Sequence, residues 1–168
     1  ITIGASTLPG EGKPQHQRST NDKRMEETLG TLLYTHPICQ EHDMGSWHPE
    51  APARLKAILE KLGKDEFAAL ERREAPLGTV EDIERVHAAY YAENIFENVP
   101  KSGHVHLDAD TAMCPASGEA ALRSVGALCD AVDSVLKGDA KNAFCAVRPP
   151  GHHAEVAAAM GFCLFNNI

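Results

Sequence analysis

Between Ser117 and Val147 the chain reads as a long amphipathic helix, a glycine-centred turn, and then a strand without a polar position. Leu122, Val125, Leu128, Cys129, Val132, Val135 and Leu136 recur at helical spacing and are expected to line one side. Gly138 is a natural stop. Ala143–Val147 (Ala-Phe-Cys-Ala-Val) is apolar throughout. A strand with no solvent face is buried on both sides, as in a parallel sheet covered by helices. Helix, short turn and buried strand make the α/β rhythm. The prediction is an α/β fold with a mainly parallel sheet and helices on both faces. Functional loops in such sheets lie past the carboxyl ends of the strands, so the segment after Val147 is where chemistry is expected.

The 168 residues suffice for one domain with a real core. Residues 1–30 carry Gly4, Pro9, Gly10, Gly12 and Pro14 and then a polar stretch, and read as a flexible leader or upstream remnant. The first residue is Ile1 rather than Met, so the start is expected to be processed or missing. The domain is expected over 31–168. It opens on a short buried strand, Thr31–Thr35, and a loop from Pro37 to Ala51. Pro52 suits a helix start, and Leu55, Ile58, Leu59 and Leu62 form one apolar stripe before Gly63. Thr79 is expected to cap a helix through Ile83, Val86 and His87, with Glu81 and Asp82 favoured at its positive end.

Composition excludes several classes. The net charge of −8 repels phosphates and argues against direct nucleic-acid binding, while it suits a cationic partner. Five cysteines, an odd number without a C-x-x-C pair, argue against a disulfide framework or a cysteine zinc site. Reduced thiols and a cytoplasmic setting fit better. No run of about 18 apolar residues exists, so no membrane span is expected.

Past the buried strand stands Arg148-Pro-Pro-Gly-His-His-Ala-Glu155, then Met160-Gly-Phe-Cys-Leu-Phe-Asn-Asn167. Two prolines stiffen the backbone and Gly151 permits a sharp turn. His152 and His153 are thereby held together where a sheet keeps its chemistry. Imidazoles titrate near neutrality, so one can take a proton from water while the other donates. A solvated His-His pair is the plain alternative, and composition alone does not choose between them.

These two segments closely resemble the histone deacetylase family, in its class II-like and bacterial amidohydrolase branch. The resemblance extends back through His42–Leu59, similar to that branch's first active-site loop and helix, and Leu107–Gly126, similar to its middle segment. It covers about Thr31 to Ile168. It implies a three-layer, arginase/deacetylase-like fold and a metal-dependent hydrolysis of N-acetyl amides, acetyl-lysine or acetylpolyamine. It further implies His152 and His153 as general base and acid, and Gly161 and Phe162 as the channel around the acyl-lysine stem. Asp110 becomes a rim acceptor for substrate amides, and Arg54 a residue beside the acetate cavity. Taken alone, Phe162 reads as core, Asp110 as a turn residue and Arg54 as an exposed helix charge.

Zinc is the implied metal. The family's Asp-x-His pair, second aspartate and catalytic tyrosine fall on positions past Ile168, so no metal ligand is assigned here. The 168 residues alone are expected to be a truncated, inactive half-domain that exposes an aggregating edge. A rival reading is a non-catalytic metal- or partner-binding fragment. His104, His106, Asp108 and Asp110 alternate, and one extended strand would place all four on one face as potential zinc ligands.

Overall fold

Leu32, Leu33 and Tyr34 are fully buried, and strand alternation sends them to opposite faces of a sheet. They belong to β2 (Thr31–Thr35), the central strand of the computed structural model, which describes residues 2–4 and 30–168. On one flank β2 pairs in parallel with β3 (Glu71–Glu74), on the other with β6 (Asn142–Cys145). An edge strand, β1 (Thr2–Gly4), runs antiparallel to β6, giving the order β1-β6-β2-β3. Residues 5–29, most of the expected leader, lie outside the described residues.

Helices cover both faces. On one, α4 (Ser117–Lys137) packs Ala127, Leu128, Ala131 and Val135 against Leu32, Tyr34, Ala143 and Cys145. On the other, α1 (Pro52–Leu62) brings Leu55, with Leu59 and Leu62, to Leu33 and Ala146. The arrangement is three layers around a mainly parallel sheet, as the apolar strand implied. A third cluster lies beyond the strand ends. There α2 (Val80–Glu84) and α3 (Ala89–Glu97) bury Ile83, Tyr91 and Ile95 against Leu164 and Phe165. The segment with the conspicuous motifs is therefore fixed to the core from below.

Most expected boundaries agree with the structure. Pro52 opens α1 and Gly63 caps it. Gly138 ends α4 in the left-handed conformation, φ 82°. Thr79 and Asp82 form a reciprocal capping box at α2.

Three expectations are corrected. The helix after Thr79 stops at Glu84, because the Ala88 N–H is drawn to the Val156 carbonyl, 2.9 Å, and Val86 and His87 leave the helix. The inward side of α4 does not include Val132 and Leu136, which are exposed. Small residues, Ala120, Ser124, Ala127, Ala131 and Ser134, are buried beside Leu128 and Val135, so that the helix can approach its neighbours closely. Gly126 meets the loop after β3 as closely: a Cβ there would lie 2.3 Å from the Pro76 carbonyl oxygen. Finally, Ala143–Val147 is not buried throughout. Phe144 is half-buried, because its face opens on a cleft.

Candidate active site

The chain leaves β6 at Cys145 and turns beneath α1, so Val147 and Arg148 start the wall of a cleft of about 600 Å³. His152, His153, Gly161, Phe162, Asp110 and Arg54 all line this cleft. Residues separated by over one hundred positions in sequence thus meet in one place, outside the carboxyl ends of the parallel strands. His152 and His153 are solvent-accessible, with ring centroids 4.2 Å apart. Arg54 reaches the cleft from α1 and is exposed there.

Local chemistry explains how the turn is held. Arg148–Pro149 is a cis peptide bond. Gly151 is pressed against the following segment, where a Cβ would meet Asn167 Oδ1 at 2.0 Å and the Phe165 carbonyl at 2.6 Å. The Ala154 N–H donates to the Gly151 carbonyl, 3.1 Å, and Asn166 Nδ2 donates to the Ala154 carbonyl, 3.0 Å. His87 and Tyr91 fasten the segment below. Asn166 N–H donates to His87 Nε2 at 2.7 Å, so Nδ1–H is the atom facing the Val156 carbonyl, 3.3 Å away. The Tyr91 hydroxyl donates to the Leu164 carbonyl, 2.6 Å. Burial lowers the His87 pKa and raises that of Tyr91, so both act as neutral fasteners.

Gly161 and Phe162 are the two central residues of a tight hairpin closed by Met160 and Cys163, whose backbones exchange hydrogen bonds of 3.2 and 3.0 Å. Both have positive φ, 55° and 72°. That is the signature of a type I′ turn, and a phenylalanine in it is strained. The strain is held by the Phe162 N–H, which donates to Thr111 Oγ1 at 3.0 Å, and by an edge-on contact of Phe162 with His48 at 4.8 Å. Gly161 is needed for a second reason: a Cβ would stand 2.9 Å from the His153 ring.

The rim is a connected structure. Asp108 accepts from the Asp110 and Thr111 N–H groups at 2.8 and 2.6 Å. Burial works against its charge, but these bonds and those of the Thr111 hydroxyl prevail and lower its pKa. Asp108 is thus occupied in shaping the turn, while the Asp110 carboxylate is exposed at the cleft. Because His48 Nδ1 accepts from the Glu50 N–H, 3.1 Å, its Nε2–H donates to the Asp110 carbonyl, 3.0 Å.

This disposes of the four-ligand strand. Only Val105–His106 is extended, as β4, paired with β5 (Ala112–Met113). His104 turns to Asp43 at 3.3 Å, and Asp108 serves the turn. Two residues of strand cannot put four side chains on one face. Among the described residues no group of three or more His, Cys, Asp or Glu is placed to hold a metal ion.

Sequence reasoning missed what lies beneath. Arg148 is 4 % exposed and donates through Nε and Nη2 to both carboxylate oxygens of Glu50, at 2.5 Å each. Its Nη1 donates to the carbonyls of Cys39 and His42 at 3.0 and 2.8 Å. Next to it His42, fully buried, shares a 2.7 Å hydrogen bond with Ser117 Oγ. Ser117, His42 and Glu50 are thus strung like a hydrolytic triad, but the serine is wholly buried and accepts from the Cys114 N–H, 2.8 Å. No substrate reaches it. His42 Nε2 lies 3.7 Å from Glu50 without a hydrogen bond. Burial, with the Arg148 charge, pushes its pKa down to about 3, so this is a contact with a neutral ring and not an ion pair. The signals in the sequence were the Glu of His-Pro-Glu and the Arg opening the second motif. Nothing local pairs them.

Fold and cleft together define a three-layer α/β protein whose titratable residues gather at the strand ends. Residues 48–168 match the family model of the histone deacetylase domain, and the chain belongs to that family of hydrolases. It is 43% identical over 120 residues to a histone deacetylase-like amidohydrolase of Pseudomonas aeruginosa, covering 71% of this chain and 31% of that protein. It is 31% identical over 170 residues to histone deacetylase 4 of Caenorhabditis briggsae, covering 86% of this chain and 19% of that one. Among solved structures, the crystal structure of the HDA15 HD domain superposes with a TM-score of 0.78 at 30% identity, over 83% of this chain and 41% of that chain. The fold is that of a histone deacetylase domain. The chain spans less than half the length of each of these relatives.

Proposed function

We propose that this protein is a deacetylase that hydrolyses N-acetyl amides of lysine side chains or polyamines, releasing acetate and a free amine. The observation that carries it is the convergence of His152, His153, Gly161, Phe162, Asp110 and Arg54 on one cleft. His152 and His153 divide proton transfer, one receiving the proton of the attacking water and the other donating to the departing amine. Phe162 offers an apolar ring to the aliphatic stem. The Asp110 carboxylate accepts from amide N–H groups of the substrate at the rim. Arg54, a cation lining the cleft, receives the carboxylate product.

The activity is read as zinc-dependent, with iron(II) as the second choice. A metal would polarise the amide carbonyl. The described residues do not supply a ligand set for it. A cytosolic setting, inferred from the odd number of cysteines, belongs to the same proposal, as does the choice of a cationic substrate by an acidic protein. No helix among the described residues is long and apolar enough to cross a membrane.

The test is acetate release by the full-length gene product from an acetyl-lysine peptide and from acetylated putrescine. Turnover of either that a chelator abolishes and zinc restores supports the proposal. Absence of turnover on both, in a folded and zinc-loaded protein, overturns it.

A further inference from the structure

We propose that Arg148 and Glu50 form a positioning clamp for the histidine pair, setting where the turn leaves β6. The proposal rests on the deacetylase reading above. A buried ion pair is costly to desolvate, and well-packed apolar residues of similar size often stabilise a fold equally well. What the charged pair adds is direction. Arg148 has five donors in a rigid fork, and the structure uses it on four acceptors: the Glu50 carboxylate and the carbonyls of Glu50, Cys39 and His42.

That fixed guanidinium stands four residues before His152. Pro149 and Pro150 intervene and fix two φ angles. Gly151 cannot retreat, because the Phe165 carbonyl and Asn167 side chain already touch it. The link from clamp to imidazoles has little slack. Glu50 also sits two residues from His48, which holds the Asp110 carbonyl and the Phe162 ring. One ion pair thus ties the acid–base side of the cleft to its rim across 98 residues of sequence. Neither residue need touch the reacting atoms.

The experiment uses the full-length protein with two variants. Glu50→Gln keeps the shape and one acceptor, while the double variant E50M/R148M replaces the pair with apolar side chains and leaves no orphaned charge. Both are expected to lower kcat about 10²-fold, as misplacement by an ångström does, with KM within about twofold of wild type. In a His152→Ala/His153→Ala background, Glu50→Gln is expected to lower the residual rate less than about threefold more, because its effect runs through the two missing rings. A folded double variant E50M/R148M with wild-type kcat, or full additivity of Glu50→Gln with the loss of both histidines, overturns the proposal. Should the double variant fail to fold, Glu50→Gln decides by the same readouts. Should the wild type lack turnover altogether, the deacetylase reading has failed and the clamp is read separately by NMR. Displaced His152 and His153 ring signals in Glu50→Gln then support it, and unchanged ones refute it.

Discussion

His152 and His153 stand in solvent after a turn whose Arg148, Pro149 and Gly151 are buried, an arrangement that adds little stability and leaves both rings free for proton transfer. Replacing either by alanine in the full-length protein should lower turnover by roughly 10²–10⁴-fold, with circular dichroism unchanged. Near-normal rates in both variants would remove the acid–base roles. Gly161 behaves differently. Its φ of 55° and its contact with the His153 ring leave no place for a methyl group. Gly161→Ala should destabilise by about 1–3 kcal/mol and also perturb turnover. Denaturant melts of the purified variant check the first part, and a midpoint equal to wild type would show that the hairpin relaxes freely.

At the scale of elements, α4 shows how packing distance overrides hydropathy. Its sheet-facing side alternates Leu128 and Val135 with small residues such as Ala127, Ala131 and Ser134, while Val132 and Leu136 face water. Leu136, 80% exposed, should therefore tolerate Leu136→Lys within about 0.5 kcal/mol. Gly126→Ala, nominally milder, should cost about 1–3 kcal/mol, because the new Cβ would overlap the Pro76 carbonyl oxygen. Thermal melts of the two variants side by side make the comparison, and the reverse ranking would mean that the helix is rotated from the orientation described. The edge strand β3 likewise defies hydropathy: its charged residues, Glu71–Glu74, are kept in the sheet by parallel pairing with β2.

For the whole molecule, the buried centre around His42 and Arg148 links stability to pH. An imidazole titrates near 6.5 when free, and burial brings that of His42 down to about 3. Between those values the unfolded chain binds more protons than the folded one. The contribution is therefore complete above about pH 6.5 and is lost as the pH falls toward 3. His87, lowered by burial, adds in the same direction. Asp82 and Asp108, held below the usual range, lose their contributions only under about pH 4. The melting temperature should thus fall from pH 7.5 to pH 5, and the fall should be shallower in His42→Gln. An identical slope in both proteins would mean that His42 is not kept neutral by the fold.

The sequence by itself determined the α/β class, the ends of α1 and α4, the strand β2 and the place of the His152–His153 motif just past β6. Each rests on signals a few residues apart: a helical period, a proline or glycine at a terminus, or an unbroken motif such as Arg148–Glu155. Tertiary structure alone decided the rest. The Arg148–Glu50 pair, His87 beneath Asn166, and Thr111 beneath Phe162 join groups 98, 79 and 51 residues apart. Which face of α4 is buried, and that His104 to Asp110 form a rim instead of a ligand strand, depended on what came to lie against them. A side chain's neighbours across the fold fix its role, and a chain read in order shows only its neighbours along the backbone.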